Sequence, residues 1–195
     1  MKKNTATYLI YGAIIVTVIT ISLMFRRYIL PQRLNDKIDD MTDAFNNNIF
    51  NLISGFEGYD ANAYHDKIDP ANVWTIGYGS IYNYDAKRPV QKGDTVTKEK
   101  ALEWFYIEAN EKVSGVRKLV KVPINENQLL ALSSFAYNLG LGDEGLGGST
   151  LLKLLNQGFT KEIVAQQFGR WVYSDGNRIE GLAIRRAKEK ALFLS

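Results

Sequence analysis

The stretch Glu57–Gly58, then Ala63–Tyr64–His65–Asp66, then Trp74–Thr75–Ile76–Gly77–Tyr78–Gly79 decides how this chain is read. Ile49, Phe50, Leu52, Ile53 and Phe56 lead into it as a short apolar helix that ends near Glu57 and Gly58. Residues 59–84 are rich in Tyr, Asp, Asn and Gly, with brief extended runs at Ala63–Tyr64 and Val73–Trp74–Thr75–Ile76. Asp69–Pro70 and Gly77–Tyr78–Gly79 punctuate them as turns. The pattern predicts a small antiparallel sheet with hairpins. One acid closes a helix, a second stands on an extended segment, and a hydroxyl precedes a glycine-rich strand.

Downstream the chain is helical. Thr97 is placed to cap a helix through Ala101, Leu102, Trp104, Phe105 and Ile107, and Pro123 breaks that pattern. Asn125 with Gln128 has the form of a capping box, opening a helix through Leu129, Leu130, Leu132, Phe135 and Tyr137. Gly140 to Gly148 forms a glycine-rich connection, and Thr150–Leu155, Lys161–Phe168 and Leu182–Leu194 read as further helices. Strands gathered at the start and helices after them give an α+β fold rather than an alternating one. There is no internal repeat.

Upstream lies a different kind of segment. Tyr8 to Phe25 carries no charge and is flanked by Lys2, Lys3, Arg26 and Arg27. Eighteen residues lie at the short end of what crosses a hydrocarbon core of about 30 Å as a helix. The run ends in Leu-Met-Phe-Arg-Arg without a small-residue cleavage site, so a membrane anchor over residues 1–30 is expected rather than a removed signal peptide. Gly12, Ala13, Thr17, Thr20 and Ser22 dilute the span, which fits either helix packing or a span weak enough to leave the membrane. Pro31 marks a break. Leu34, Ile38, Met41 and Phe45 then recur at helical spacing, predicting an amphipathic stem over residues 31–46 that ends in a cap or turn at Asn46–Asn47–Asn48. Residues 47–195 are the expected catalytic domain.

Composition narrows the chemistry. The chain has 195 residues, a net charge of +3 and no cysteine. Disulfides, thiolate metal sites and a cysteine nucleophile are therefore excluded. Residues 1–43 hold six basic and four acidic residues, so the globular part is close to neutral and lacks the basic face that nucleic acid requires. Arg185–Arg186–Ala187–Lys188, with Glu189 beside it, reads as the charged outer face of a C-terminal helix. His65 is the sole histidine and has no second ligand, so neither a metal nor another cofactor is expected.

Two carboxyl groups flanking a cleft are what glycoside hydrolysis needs: one protonated to assist the leaving oxygen, one anionic. Glu57 follows Phe56 at the end of an apolar helix, and apolar surroundings would raise its pKa as a general acid requires. Asp66 sits among His65, Lys67 and Asp69, where it should stay ionised and activate water, and Thr75 offers a hydroxyl to orient that water. Taken singly, each residue also reads as ordinary: a helix-end salt bridge, a turn aspartate, a strand threonine.

Together with the wider pattern they do not stand alone. Lys92–Gly93–Asp94 with Thr97, Gln128 through Ala131–Leu132, Ser134 through Gly140, Ser149–Thr150–Leu151–Leu152, Trp171 and Gly181 through Glu189 follow in order. Over roughly residues 47–195 the chain resembles the phage-type lysozymes of glycoside hydrolase family 24, the muramidases that tailed phages use as endolysins. The resemblance implies a lysozyme-like fold, a small antiparallel sheet lobe followed by a helical lobe. It implies Glu57 as general acid, Asp66 as partner carboxylate and Thr75 as the water-orienting hydroxyl. It further implies Ile81, Tyr137 and Thr150 as substrate-binding residues, and inverting cleavage of the β-1,4 bond between N-acetylmuramic acid and N-acetylglucosamine.

One spacing departs from the family. Its usual short form has five residues between aspartate and threonine, whereas eight separate Asp66 from Thr75. Asp69 would restore five, but Asp66 keeps the Ala-Tyr-His-Asp run and the interval after Glu57. The N-terminal span resembles the signal-arrest-release segments of certain endolysins. A monomer is expected on the host inner membrane, its catalytic domain facing the periplasm or wall, with a virion membrane as the alternative. A lytic transglycosylase and a non-catalytic wall-binding or structural membrane protein are the rival readings.

Overall fold

The computed structural model describes residues 32–65 and 73–195. The expected span at residues 8–25 lies outside the described residues, as do Asp66 and Asp69. Among the described residues no helix is long and apolar enough to cross a membrane. Residues from Asn47 onward form a compact unit of their own.

Helix α1 runs without a break from Gln32 to Glu57. The expected cap or turn at Asn46–Asn47–Asn48 is therefore absent, and the stem and the short apolar helix are one element. Asparagine is only a mild helix breaker, worth a few tenths of a kcal/mol to about 0.7 against alanine. Asn47 and Asn48 are exposed and strain nothing, while Ile49 and Ile53 just beyond them are fully buried and hold the helix to the core.

Strands β1 (Asp60–His65) and β2 (Trp74–Gly77) pair antiparallel as expected. Asp60 faces Gly77 and Tyr64 faces Thr75, so four steps on β1 meet two on β2 and the strand bulges between them. The bulged backbone is not orphaned. Ala63 N donates to Asp94 O and Val96 N to Ala61 O, each at 2.9 Å. A second hairpin pairs β3 (Tyr82–Asn83) with β4 (Arg88–Pro89). Asp94 fastens it: its carboxylate accepts from Arg88 Nη1 and Nη2 at 2.8 and 2.7 Å, from Asn83 Nδ2 at 3.2 Å and from Gln91 N at 3.0 Å.

The helical part follows. Thr97 caps α2 (Lys98–Leu119), accepting from Lys100 N. Asn125 and Gln128 form the expected capping box of α3 (Glu126–Leu139). Residues Leu129 through Ala136 are all buried, so α3 is the central helix of this region, flanked by α2 and α6. Next come α4 (Thr150–Asn156) and α5 (Lys161–Ala165). The expected helix Lys161–Phe168 tightens after Ala165 into a 3₁₀ turn over Gln166–Arg170. A hairpin of β5 (Tyr173–Ser174) and β6 (Asn177–Arg178) then leads into α6 (Glu180–Leu194). Its tip is Asp175–Gly176, both left-handed at φ 47° and 77°, the backbone that a two-residue hairpin turn demands.

Two aromatic clusters fill the core. Phe50 meets Tyr78 and Phe105 edge-on at 5.4 and 5.3 Å, joining α1 to the β2 end and α2. Phe135 meets Phe168 and Trp171 edge-on at 5.5 and 5.4 Å. Trp104 is 2% exposed.

The arginines of α6 are not on a charged outer face. Arg185, Arg186 and Glu189 are 3%, 1% and 0% exposed. Spacings of three and four residues on one helix bring both guanidiniums to the same carboxylate. Arg185 Nε donates to Glu189 Oε1 at 3.2 Å and Arg186 Nη2 to the same oxygen at 3.1 Å, while Arg186 Nε lies 2.8 Å from Oε2. Ser134 Oγ on α3 donates to Glu189 at 2.7 Å. Burial pushes Arg186 down to about 10, against the pull of Glu189. Glu189 offsets one of the two buried positive charges, and Glu57, paired with Arg185, offsets the other.

Glu189→Ala removes the one carboxylate that two buried guanidiniums share, leaving Arg186 without an anionic partner, and is expected to lower stability by about 3–5 kcal/mol, read from urea unfolding of the full chain. A loss of under about 1 kcal/mol, the range of exposed pairs, would contradict this account. Arg88 and the Gln91 amide hold the Asp94 carboxyl well below the ordinary carboxylate range. The stability it contributes is therefore complete above the unfolded carboxyl pKa of about 4 and is lost as pH falls toward the depressed folded value. Asp94→Asn is expected to melt at a lower temperature than wild type at pH 7, the gap closing progressively below about pH 4.

Candidate active site

Glu57 is the last residue of α1. Its side chain is 21% exposed, and Oε1 accepts a hydrogen bond from Arg185 Nη1. Arg185 spends its other donors inward, Nε on Glu189 and Nη2 on the Ser134 carbonyl at 3.0 Å. Its guanidinium also lies over the Phe56 ring at 4.9 Å. The expectation that Glu57 sits against apolar groups is thus corrected: an arginine holds it on one side and a cleft opens on another.

Gly79 backs the carboxyl group. It adopts φ 92°, and a Cβ there would stand 3.2 Å from Glu57 Oε2. Glycine is needed for both reasons, the left-handed backbone and the close approach of the chain to the acid.

The cleft encloses about 380 Å³. Glu57 and Gly79 form one part of its lining, with Ile81, Tyr82 and Tyr84 following along the chain. Helix α2 supplies Glu108, Glu111 and Lys112, and α3 supplies Tyr137 and Asn138. Ile81 is 54% exposed and offers an apolar face in otherwise polar walls. Such a mixture suits a chain of sugars, whose rings present apolar faces and whose rims present hydroxyl and amide groups.

Of the residues singled out by sequence, the structure brings together Glu57, Ile81 and Tyr137. Thr75 lies on β2 opposite Tyr64 and Thr150 is the exposed first residue of α4; neither lines this cleft. Asp66 lies outside the described residues. Among the described residues no group of His, Asp or Glu is placed to hold a metal.

Sequence reasoning missed Glu108. This carboxyl accepts from Ser80 Oγ at 2.6 Å and lies 3.0 Å from the Tyr137 hydroxyl, and Tyr84 also hydrogen-bonds to it. Burial raises Glu108 above the ordinary glutamate range, with these hydrogen bonds and Lys112 opposing the rise. Burial and the nearby Glu108 and Glu111 push Tyr84 up to about 12. The signal was available: Glu108 falls three and four residues after Phe105 and Trp104, on the apolar face of α2.

Residues 54–189 match the family described as phage lysozyme. An endolysin of Bacillus phage PZA is 41% identical over 145 residues, 74% of this chain and 53% of that protein. The chain thus spans about half the length of that relative. A SAR-endolysin of Escherichia phage 933W is 34% identical over 145 residues, 70% of this chain and 77% of that protein. Among solved structures, the muramidase domain of SpmX from Asticaccaulis excentricus superposes with a TM-score of 0.63 at 32% identity, covering 76% of this chain and 95% of that one. The small antiparallel hairpins with helices behind them are a lysozyme-like α+β fold, and the chain belongs to the phage lysozyme family.

Proposed function

We propose that the chain is a peptidoglycan muramidase that hydrolyses the β-1,4 bond between N-acetylmuramic acid and N-acetylglucosamine during phage-driven lysis or wall penetration. The observation that carries this reading is Glu57: a carboxyl group presented to a polar cleft, gripped from behind by Arg185 and approached closely by the Gly79 backbone, in a chain of the phage lysozyme family. In the reaction Glu57 gives its proton to the glycosidic oxygen as the bond to the anomeric carbon breaks. Asp66 takes a proton from a water held by Thr75, and that water attacks the opposite face of the sugar, inverting the anomer. Ile81, Tyr137 and Thr150 contact the glycan.

Residues 8–25 tether the enzyme to the inner membrane as a single pass, residues 31–46 serve as the stem, and residues 47–195, a monomer, face the wall. The uncharged run between basic flanks supports this, and the match to a SAR-endolysin favours a releasable anchor over a permanent one.

Glu57→Gln is expected to abolish turbidity loss of purified walls, a fall of at least about 10²-fold, general acid catalysis being worth about 10²–10⁴. Asp66→Asn should do the same and Asp69→Asn should not; the reverse result reassigns the second carboxylate. Mass spectrometry of the digest should find reducing ends, and anhydro-sugar ends instead would mark a transglycosylase. For the anchor, adding an uncoupler to cells should move protein out of the membrane fraction with a gain in lysis. Protein that stays wholly in the membrane with no gain overturns release.

A further inference from the structure

The hydroxyl groups around Glu108 do not have enough protons for an ionised carboxylate. Ser80 Oγ has one hydrogen and two acceptors in reach, Tyr82 O at 2.8 Å and Glu108 Oε1 at 2.6 Å. The Tyr82 amide, at 3.3 Å, already donates to Ser80 Oγ. Tyr137 has the same predicament, with one hydrogen between Tyr78 O at 3.1 Å and Glu108 Oε2 at 3.0 Å. Backbone carbonyls accept only, and so does an ionised carboxylate. The Tyr84 hydroxyl also bonds to Glu108, so three hydrogens would then serve five contacts in a part-buried place where unmet contacts are expensive. A proton on Glu108 supplies a fourth, so that the acid donates to one hydroxyl while that hydroxyl donates to its carbonyl.

What this network fastens is the wall behind the acid. Tyr137 grips Tyr78 and Ser80 is itself gripped, so both neighbours of Gly79 are tied to Glu108. Gly79 is the residue whose backbone stands against Glu57. We propose that Glu108 is a proton-carrying positioning residue, which as the neutral acid clamps the Tyr78–Gly79–Ser80 wall and thereby fixes where Glu57 points. Its role in catalysis rests on Glu57 being the general acid; its protonation does not.

The groups facing this site agree on balance. Burial raises the Glu108 pKa above the ordinary range. Lys112, on the same helix, pulls the other way, as do the hydrogen bonds from Ser80, Tyr137 and Tyr84. Tyr84 is held neutral to about 12 and burial pushes Tyr137 higher still, so both keep their protons at neutral pH. Glu57 is close enough to disfavour further negative charge at Tyr137, while Arg185 partly offsets it. Glu111 adds negative charge beside Tyr84.

The test uses the full chain labelled at the glutamate carboxyl carbon. At pH 7 the NMR spectrum is expected to hold a protonated carboxyl resonance that disappears in Glu108→Gln. If every resonance removed by that substitution is ionised at pH 7, the clamp is overturned. In wall turbidity assays Glu108→Ala is expected to lose at least about tenfold, the scale of a displaced catalytic group. Glu108→Gln, which keeps a neutral donor and acceptor, is expected to recover most of that loss. Glutamine as poor as alanine overturns the positioning role. Should the alanine variant fail to fold, Ser80→Ala with Tyr137→Phe removes the straps without touching the acid. It is expected to lose at least about tenfold, and full activity in that variant overturns the role as well. Wild-type protein that fails to lyse walls would overturn the muramidase reading instead, leaving the carboxyl resonance to decide the clamp.

Discussion

Arg185 is the interaction on which the arrangement depends. Its guanidinium reaches three places at once: Glu57 at the end of α1, the Ser134 carbonyl of α3 and Glu189 one turn along its own helix. A planar fork with fixed donor directions suits this, and a lysine ammonium on a flexible stem does not replace it. Putting so much charge inside is costly, and the cost is met only in part: Arg185, Arg186 and Ser134 all bond to Glu189 Oε1, Phe135 lies 4.6 Å from the Arg186 guanidinium, and Glu189 Oε2 faces Arg186 Nε at 2.8 Å without a hydrogen bond. The catalytic candidate is thus an outpost of a buried ionic core rather than an isolated surface acid.

The same logic explains why the two sides of Glu57 differ. Behind it are groups that cannot move without unpairing a buried charge. Beside it is Gly79, whose left-handed backbone passes so near that a Cβ would press on the Glu57 carboxyl group at 3.2 Å. The cleft begins where these constraints end, and its remaining polar groups, Glu108 and Tyr137 among them, are bonded to each other and to backbone as well as facing outward.

Much of the fold was legible because its signals are local. Thr97 and the Asn125–Gln128 box are caps that act within one turn, and the hairpin of β1 and β2 announces itself in Tyr, Gly and Val–Trp–Thr–Ile. Asp175–Gly176 was equally local and was passed over, being flanked by strands of only two residues. What local signals could not give was partnership. Arg185 and Arg186 looked like surface residues because charged groups usually are, and only the α3 side of the cluster shows why they are not. Glu108 was hidden in a helix whose apolar face it interrupts. The asparagines at 46–48 failed to break α1 because the residues that decide, Ile49 and Ile53, are anchored by burial. Glu57, which the motif singled out, lines the cleft, but its partner Arg185 lies 128 positions away in the chain, beyond the reach of any local signal.

The β5–β6 hairpin carries a last consequence. Residues 175–178 are exposed at its tip, and everything after them is essentially the helix that delivers Arg185 and Glu189. A protease that cuts there does not remove the helix, since its grip on α3 is by packing and hydrogen bonds rather than by the chain. The two pieces are a natural pair of complementary fragments: a large one holding the acid and the cleft, and a short one holding the arginine that the acid needs.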